Sequence, residues 1–279
     1  MPSHDLISKI PKGFAFSQSS LQEYSDCPRR FQLRYLEQLH WPGVETEPIL
    51  ENERRQIEGQ VFHRLIQQYL LGLPAEKLSR LANTPDLANW WKNFQSSDLG
   101  INDYAQYTEL TLSCPIGDYR LLAKYDLIAI KPKQKALIFD WKTSLKRPRD
   151  EQMASRWQTR VYRAILAKTG SHLNNNYSIE PDQIEMIYWY ADFPTEPARF
   201  AYNAQQFKRD WSAIEKVVNE ISSTNEFPMT EDENTCRFCS YRSYCERGSQ
   251  PGSLKEAEAE LESDTSFDVN FEQIGEIEF

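Results

Sequence analysis

Apolar positions in the first third of the chain recur at helical intervals. Leu21, Tyr24, Phe31 and Tyr35 form one such series, and the Ser20/Glu23 pair has capping-box spacing. A first helix is therefore predicted to start near Ser20, with Pro28 as a kink or restart. A second is predicted over 51–71, with Ile57, Val61, Leu65 and Ile66 on its buried side. Residues 74–99 read as helical or irregular, with Pro85 capping a Trp90-Trp91 segment.

The period then shortens. Segments 107–114, 119–130 and 135–141 are rich in Leu, Ile, Tyr and Phe and read as three consecutive strands. Turns at Ile116-Gly117-Asp118 and Lys131-Pro132-Lys133-Gln134 join them. Asp150 is expected to cap a helix reaching about Lys168, followed by strands at 184–190 and 198–202 and a helix over 204–221. This order predicts one α/β domain over 1–248, a mixed central sheet flanked by helices.

Charge changes the picture only once it is located. The chain of 279 residues carries −9, but 249–279 alone holds nine acidic residues against Lys255. That segment, rich in Ser, Gly and Glu, is expected to be a disordered acidic tail, a solubilising one or a docking peptide for a protein partner. The body is close to neutral, so net charge does not argue against an anionic partner. With a mean hydropathy of −0.67 and no run of apolar residues long enough to span a bilayer, a cytoplasmic protein without membrane contact is expected.

Two clusters carry candidate chemistry. Asp126 lies late in one predicted strand, and Asp140 ends the next, two residues before Lys142. Antiparallel pairing would bring the carboxylates together, a donor set suited to Mg2+ or Mn2+. Period-two geometry puts Lys142 on the same face, where its ammonium can orient or activate an attacking water. The other cluster is Cys236, Cys239 and Cys245, a Cys-x2-Cys-x5-Cys series to which Cys27 supplies a fourth thiol. Four thiolates suit a [4Fe–4S] cluster, with zinc as the alternative. Cys114 stands apart and reads as structural.

The series Asp126, Asp140-Trp141-Lys142 and Gln158-Thr159-Arg160-Val161-Tyr162, with Gly59-Gln60-Val61-Phe62-His63 upstream, resembles the RecB-like branch of the PD-(D/E)XK nucleases. The cysteine pattern is similar to the iron–sulfur staple of AddB-like and CRISPR-associated RecB-like exonucleases. The resemblance implies a restriction-endonuclease-like core whose N- and C-terminal segments join at the four-cysteine cluster. It implies a metal held by His63, Asp126, Asp140 and the Trp141 carbonyl, catalysis by Asp126, Asp140 and Lys142, and supporting or DNA-contacting roles for Gln158 and Tyr162. The implied activity is exonucleolytic hydrolysis of single-stranded or frayed DNA, in repair or CRISPR-type processing.

Between Lys142 and Lys168 there are eight basic residues against two acidic ones. Arg147, Arg149, Arg156 and Arg160 are therefore expected to meet the phosphate backbone, with Arg156, Arg160 and Arg163 on one helical face and Arg29, Arg30 and Arg34 extending the stripe. The rival readings are a non-catalytic iron–sulfur DNA-binding subunit and a redox sensor.

Overall fold

A computed structural model describes residues 9–39, 47–237 and 239–247. The acidic segment 249–279, and with it the expected docking peptide, lies outside the described residues.

The element order is β1 (Ala15–Ser17), α1 (Gln18–Asp26), α2 (Pro28–Phe31) with a π-helical turn at Gln32–Leu36, α3 (Glu47–Leu70), α4 (Ala75–Ser79) and α5 (Pro85–Gln95). Three long strands follow, β2 (Ala105–Ile116), β3 (Tyr119–Lys131) and β4 (Lys135–Lys142). Then come α6 (Asp150–Ser155), α7 (Trp157–Thr169), β5 (Ile184–Tyr190), β6 (Phe193–Ala201), α8 (Ala204–Ser223) and α9 (Glu233–Arg237). Among the described residues, no helix is long and apolar enough to cross a membrane.

The six strands form one mixed sheet. Antiparallel β2 covers one edge of β3 along nearly its whole length. The other edge is shared: β1 runs parallel to residues 120–122, and β4 runs antiparallel to 127–131. Between these two partners β3 has a gap, and Asp126 sits in it. Parallel β5 then pairs with β4 through Lys142, after the crossover made by α6 and α7, and antiparallel β6 closes the far side.

Helices cover both faces, as a sheet with two apolar faces requires. On one face α1, α7 and α8 pack over Tyr125, Ile128, Ile138 and Tyr188; on the other, α3 and α5 pack over Leu127, Ala129, Phe139 and Trp189. Phe62, Trp90 and Phe94 fill that second layer against Trp189.

Three local expectations are corrected. Helix α1 is capped by Ser17, whose hydroxyl accepts from the Ser20 amide, while the Ser20 hydroxyl reaches back toward Ser17; the Ser20/Glu23 pairing is not the cap. Ile57 is 60% exposed, because Phe62, Leu65 and Ile66 set the buried face of α3. The helix after Asp150 is interrupted: Arg156 is extended at φ −64°, ψ 146°, ending α6 and starting α7. The break lets Trp157 turn toward α1, where Ser25 Oγ accepts its indole N–H at 2.8 Å. Asp150 is then the first residue of α6, not its cap.

Candidate metal centre and thiol cluster

The two-residue turn Gly117-Asp118 fixes the β2–β3 register, and the next turn fixes that of β3–β4. The last β3–β4 pair is Leu127 with Phe139, so Asp126 and Asp140 follow directly where the strands part. Asp126 stays tied to β4, since its Oδ2 accepts from the Trp141 amide at 2.8 Å. His63 on α3 comes down onto the same point, its Nδ1 3.3 Å from Asp126 Oδ1. Both side chains are largely buried. Burial, the largest single influence, would lower the His63 pKa, but the charge and hydrogen bond of Asp126, with the Asp140 and Glu109 charges, together hold the imidazole above its usual value. The converse holds for Asp126: burial would raise it, and His63 keeps it below the usual carboxylate range.

Asp140 faces a different set of partners. Gln158 Nε2 on α7 donates to its Oδ1 at 2.7 Å, and Lys142 Nζ lies 3.1 Å from its Oδ2. Lys142 also donates to Gln158 Oε1 at 3.1 Å, so one amide holds both members of the triplet. The Lys142 ammonium rests 5.3 Å from the centre of the Tyr188 ring. Tyr162 is buried, its ring packed 4.8 Å from that of Tyr125, whose hydroxyl donates to the Tyr162 carbonyl. It is part of the core beside β3.

Helix α3 is held against β4 by Arg55. Its Nε and Nη2 donate to the Thr143 carbonyl at 3.0 and 2.6 Å, and its Nη2 reaches Asp192 Oδ2 at 2.8 Å. Trp90 Nε1 donates to the other Asp192 oxygen. One turn further along α3, a Cβ placed on Gly59 would stand 3.0 Å from Thr143 Oγ1. This close approach is what brings His63 within reach of Asp126. Gly59→Val is expected to push α3 away from Thr143 at a cost of roughly 1–3 kcal/mol of stability. Urea unfolding checks it, and an unchanged midpoint would show that the close approach is not needed.

The basic residues of this region are more engaged than their spacing predicts. Arg163 is 1% exposed and, with Arg160, turns inward onto Asp210 of α8, at 3.5 and 3.0 Å. The expected face of Arg156, Arg160 and Arg163 is therefore not an open stripe: Arg156 sits at the helix break and Arg163 is core. Arg147 bonds Asp150 at 2.7 Å and the Glu196 carbonyl at 2.8 Å, while Arg149 is exposed at the cap of α6. Arg30 and Arg34 turn to Glu23, and Arg30 also to Asp26.

Cys27, Cys236, Cys239 and Cys245 lie near enough to feel one another's charge. Cys27 caps α1, and the segment after α9 folds back so that Cys239, Tyr241 and Cys245 pack against Leu33. The Tyr241 hydroxyl donates to the Leu39 carbonyl at 3.0 Å. Burial pushes the Cys239 thiol up to about 11; a backbone hydrogen bond and the Arg30 guanidinium oppose this, while Cys27 and Cys245 add to it. Cys245 is likewise raised by burial first, with Arg29 opposing and Cys27 and Cys236 adding. Cys114 lies elsewhere, on β2 and buried in the core, pushed by burial to about 11.

Two participants escape motif reading: Glu109, beside His63 and Asp126, and the Arg55–Asp192 pair. The first had a signal, since counting back from the Gly117-Asp118 turn sets Glu109 opposite Asp126.

Carboxylates and an imidazole converging where two strands part suit a divalent cation, and the Lys142 ammonium lies beside them on Asp140. Among curated proteins, none matches the chain. Among solved structures, the chain is similar to SSO0001, at 12% identity and a TM-score of 0.38, covering 85% of this chain and 88% of that one. It is also similar to a Eubacterium rectale protein provisionally assigned as an exonuclease, at 9% identity and a TM-score of 0.49, covering 88% and 94%. The family model of the PD-(D/E)XK nuclease superfamily, whose members use divalent metals, matches residues 15–246, from β1 through the last of the clustered cysteines. The chain belongs to the PD-(D/E)XK nuclease superfamily.

Proposed function

We propose that the protein is a metal-dependent deoxyribonuclease that degrades single-stranded or frayed DNA from an end, in DNA repair or CRISPR-type processing. The observation that carries this reading is the Asp140–Lys142–Gln158 hydrogen-bonded set beside Asp126 and His63. A divalent cation held by His63, Asp126 and Asp140, with the Trp141 carbonyl nearby, supplies Lewis-acid chemistry toward the phosphoryl group. Asp140 and Gln158 hold the Lys142 ammonium at a fixed height over the Tyr188 ring. From there it orients the attacking water and meets the negative charge that develops on the phosphate. Arg147, Arg149 and Arg156, around the α6 helix, receive the strand's phosphates.

Cys27, Cys236, Cys239 and Cys245 hold a [4Fe–4S] cluster that ties the first helix of the domain to its last segment. Four thiols within one another's field, beside Arg29 and Arg30, support that reading, since the guanidinium groups offset the charge that four thiolates bring.

The test is an anaerobically purified protein incubated with Mg2+ or Mn2+ and end-labelled single-stranded DNA, beside Asp126→Asn. Metal-dependent release of short labelled products by the wild type alone supports the proposal, and the label reports polarity. Binding without cleavage under either metal would reject it and favour a DNA-binding subunit.

A further inference from the structure

We infer that Glu109 is a ligand of the divalent cation, forming with His63 and Asp126 a three-donor site that the sequence motifs do not contain. This rests on the metal-nuclease reading above and adds a residue to its centre.

The donor atoms of His63, Glu109 and Asp126 all lie within 4.8 Å of one another. Ligands bound at about 2.1 Å in octahedral geometry stand roughly 3 to 4 Å apart, so one cation can touch all three after small adjustments. The donor set is an imidazole and two carboxylates, from α3, β2 and β3. Asp140, by contrast, is held by Gln158 and Lys142.

The backbone is built to aim Glu109 there. It has φ +53°, a left-handed conformation rare for a residue with a long side chain. In β2 the residues packed on the α7 layer are Tyr107, then Leu110, Leu112 and Cys114; in β3 they are Leu121, Ala123 and Tyr125, then Ile128 and Ile130. Both strands lose one step of their alternation at the same rung, the rung of Glu109 and Asp126. The β2–β3 register nevertheless runs on unchanged to either side. A break of this kind beside a site re-aims a side chain that regular pleating would send elsewhere. Lys124 Nζ lies 2.7 Å from Glu109 Oε2 and gives the carboxylate a counter-charge.

The test uses the full chain and Mn2+ alone, followed by calorimetry and by the EPR signal of free Mn2+, with no nucleic acid present. Glu109→Gln, which keeps shape and backbone preference, is expected to weaken Mn2+ binding about tenfold or more. Glu109→Gly, free of the left-handed penalty, is expected to lose the same affinity while unfolding at an equal or higher temperature. Lys124→Gln is expected to tighten binding, because a competing ammonium is gone. The inference is overturned if Glu109→Gln binds Mn2+ within twofold of wild type while Asp126→Asn has lost it. Wild-type binding by both Asp126→Asn and His63→Ala would instead remove the metal-centre reading, and this inference with it.

Discussion

In the proposed deoxyribonuclease reaction, Lys142→Ala is expected to cut DNA on the order of 10² to 10³ times more slowly than the wild type while still binding Mn2+. The size follows from where the ammonium sits. Its side chain is 11% exposed, in contact with Asp140 Oδ2 and Gln158 Oε1, each at 3.1 Å. A charge held in so dry a place needs no reorganisation when charge develops on the phosphate. Alanine removes that charge and leaves the buried Asp140 carboxylate with fewer partners, so a stability loss is expected too. Single-turnover cleavage at saturating Mn2+ separates this from a binding defect. Gln158→Ala frees the same ammonium to move and is expected to slow the reaction by a smaller factor. Since the two residues act as a unit, the double variant should be little worse than Lys142→Ala alone. A Lys142→Ala rate within tenfold of wild type would mean that the ammonium does not serve the chemical step.

Much of the scaffold is legible because a strand buried between two helical layers reads as a short, nearly continuous apolar run bounded by turns. Strand β5 runs from Ile184 to Tyr190, as the apolar run alone predicts, and β4 differs from its predicted span by one residue. What the pattern could not carry was fixed by partners far away in sequence. The break at Arg156 has no proline or glycine to mark it; it exists because Trp157 turns to Ser25, 132 residues earlier. The arginines of α7 look like a DNA-facing stripe until α8 brings Asp210 beneath them. Ile57 reads as buried because a helical wheel ranks apolar residues without knowing that Phe62 and Leu65 already fill the face toward the sheet. The candidate site divides in the same way. Asp126, Asp140 and Lys142 are readable, since two short turns dictate their register. Glu109 required counting along a hairpin, and Arg55 becomes visible only once Thr143 and Asp192 are next to it.

Cys239→Ala is expected to abolish the broad visible absorption of the anaerobic protein and to lower its stability by about 2–5 kcal/mol, the range for losing a native cross-link. The proposed cluster joins Cys27 to a segment more than two hundred residues later, and closing so long a loop removes much freedom from the unfolded chain. The consequence should reach the metal centre, because α1 carries Cys27 at its end and is bonded to the start of α7. Gln22 Oε1 accepts from the Trp157 amide at 3.3 Å, and Ser25 accepts from the Trp157 indole. The next residue is Gln158, which holds Asp140 and Lys142. A loosened α1 therefore loosens Gln158, and cleavage should fall even at temperatures where the variant is folded. Cys114→Ala is the control: a buried thiol of β2 outside the four-cysteine group, expected to cost about 1 kcal/mol and to leave absorption and cleavage intact. Absorption and metal content read together divide the alternatives. Colour with iron supports the cluster. Colourless protein holding one zinc would replace the cluster with a zinc site but keep the staple. An unfolding midpoint for Cys239→Ala equal to wild type would mean that the four thiols hold nothing, and that Tyr241 and Leu33 close the domain by packing alone.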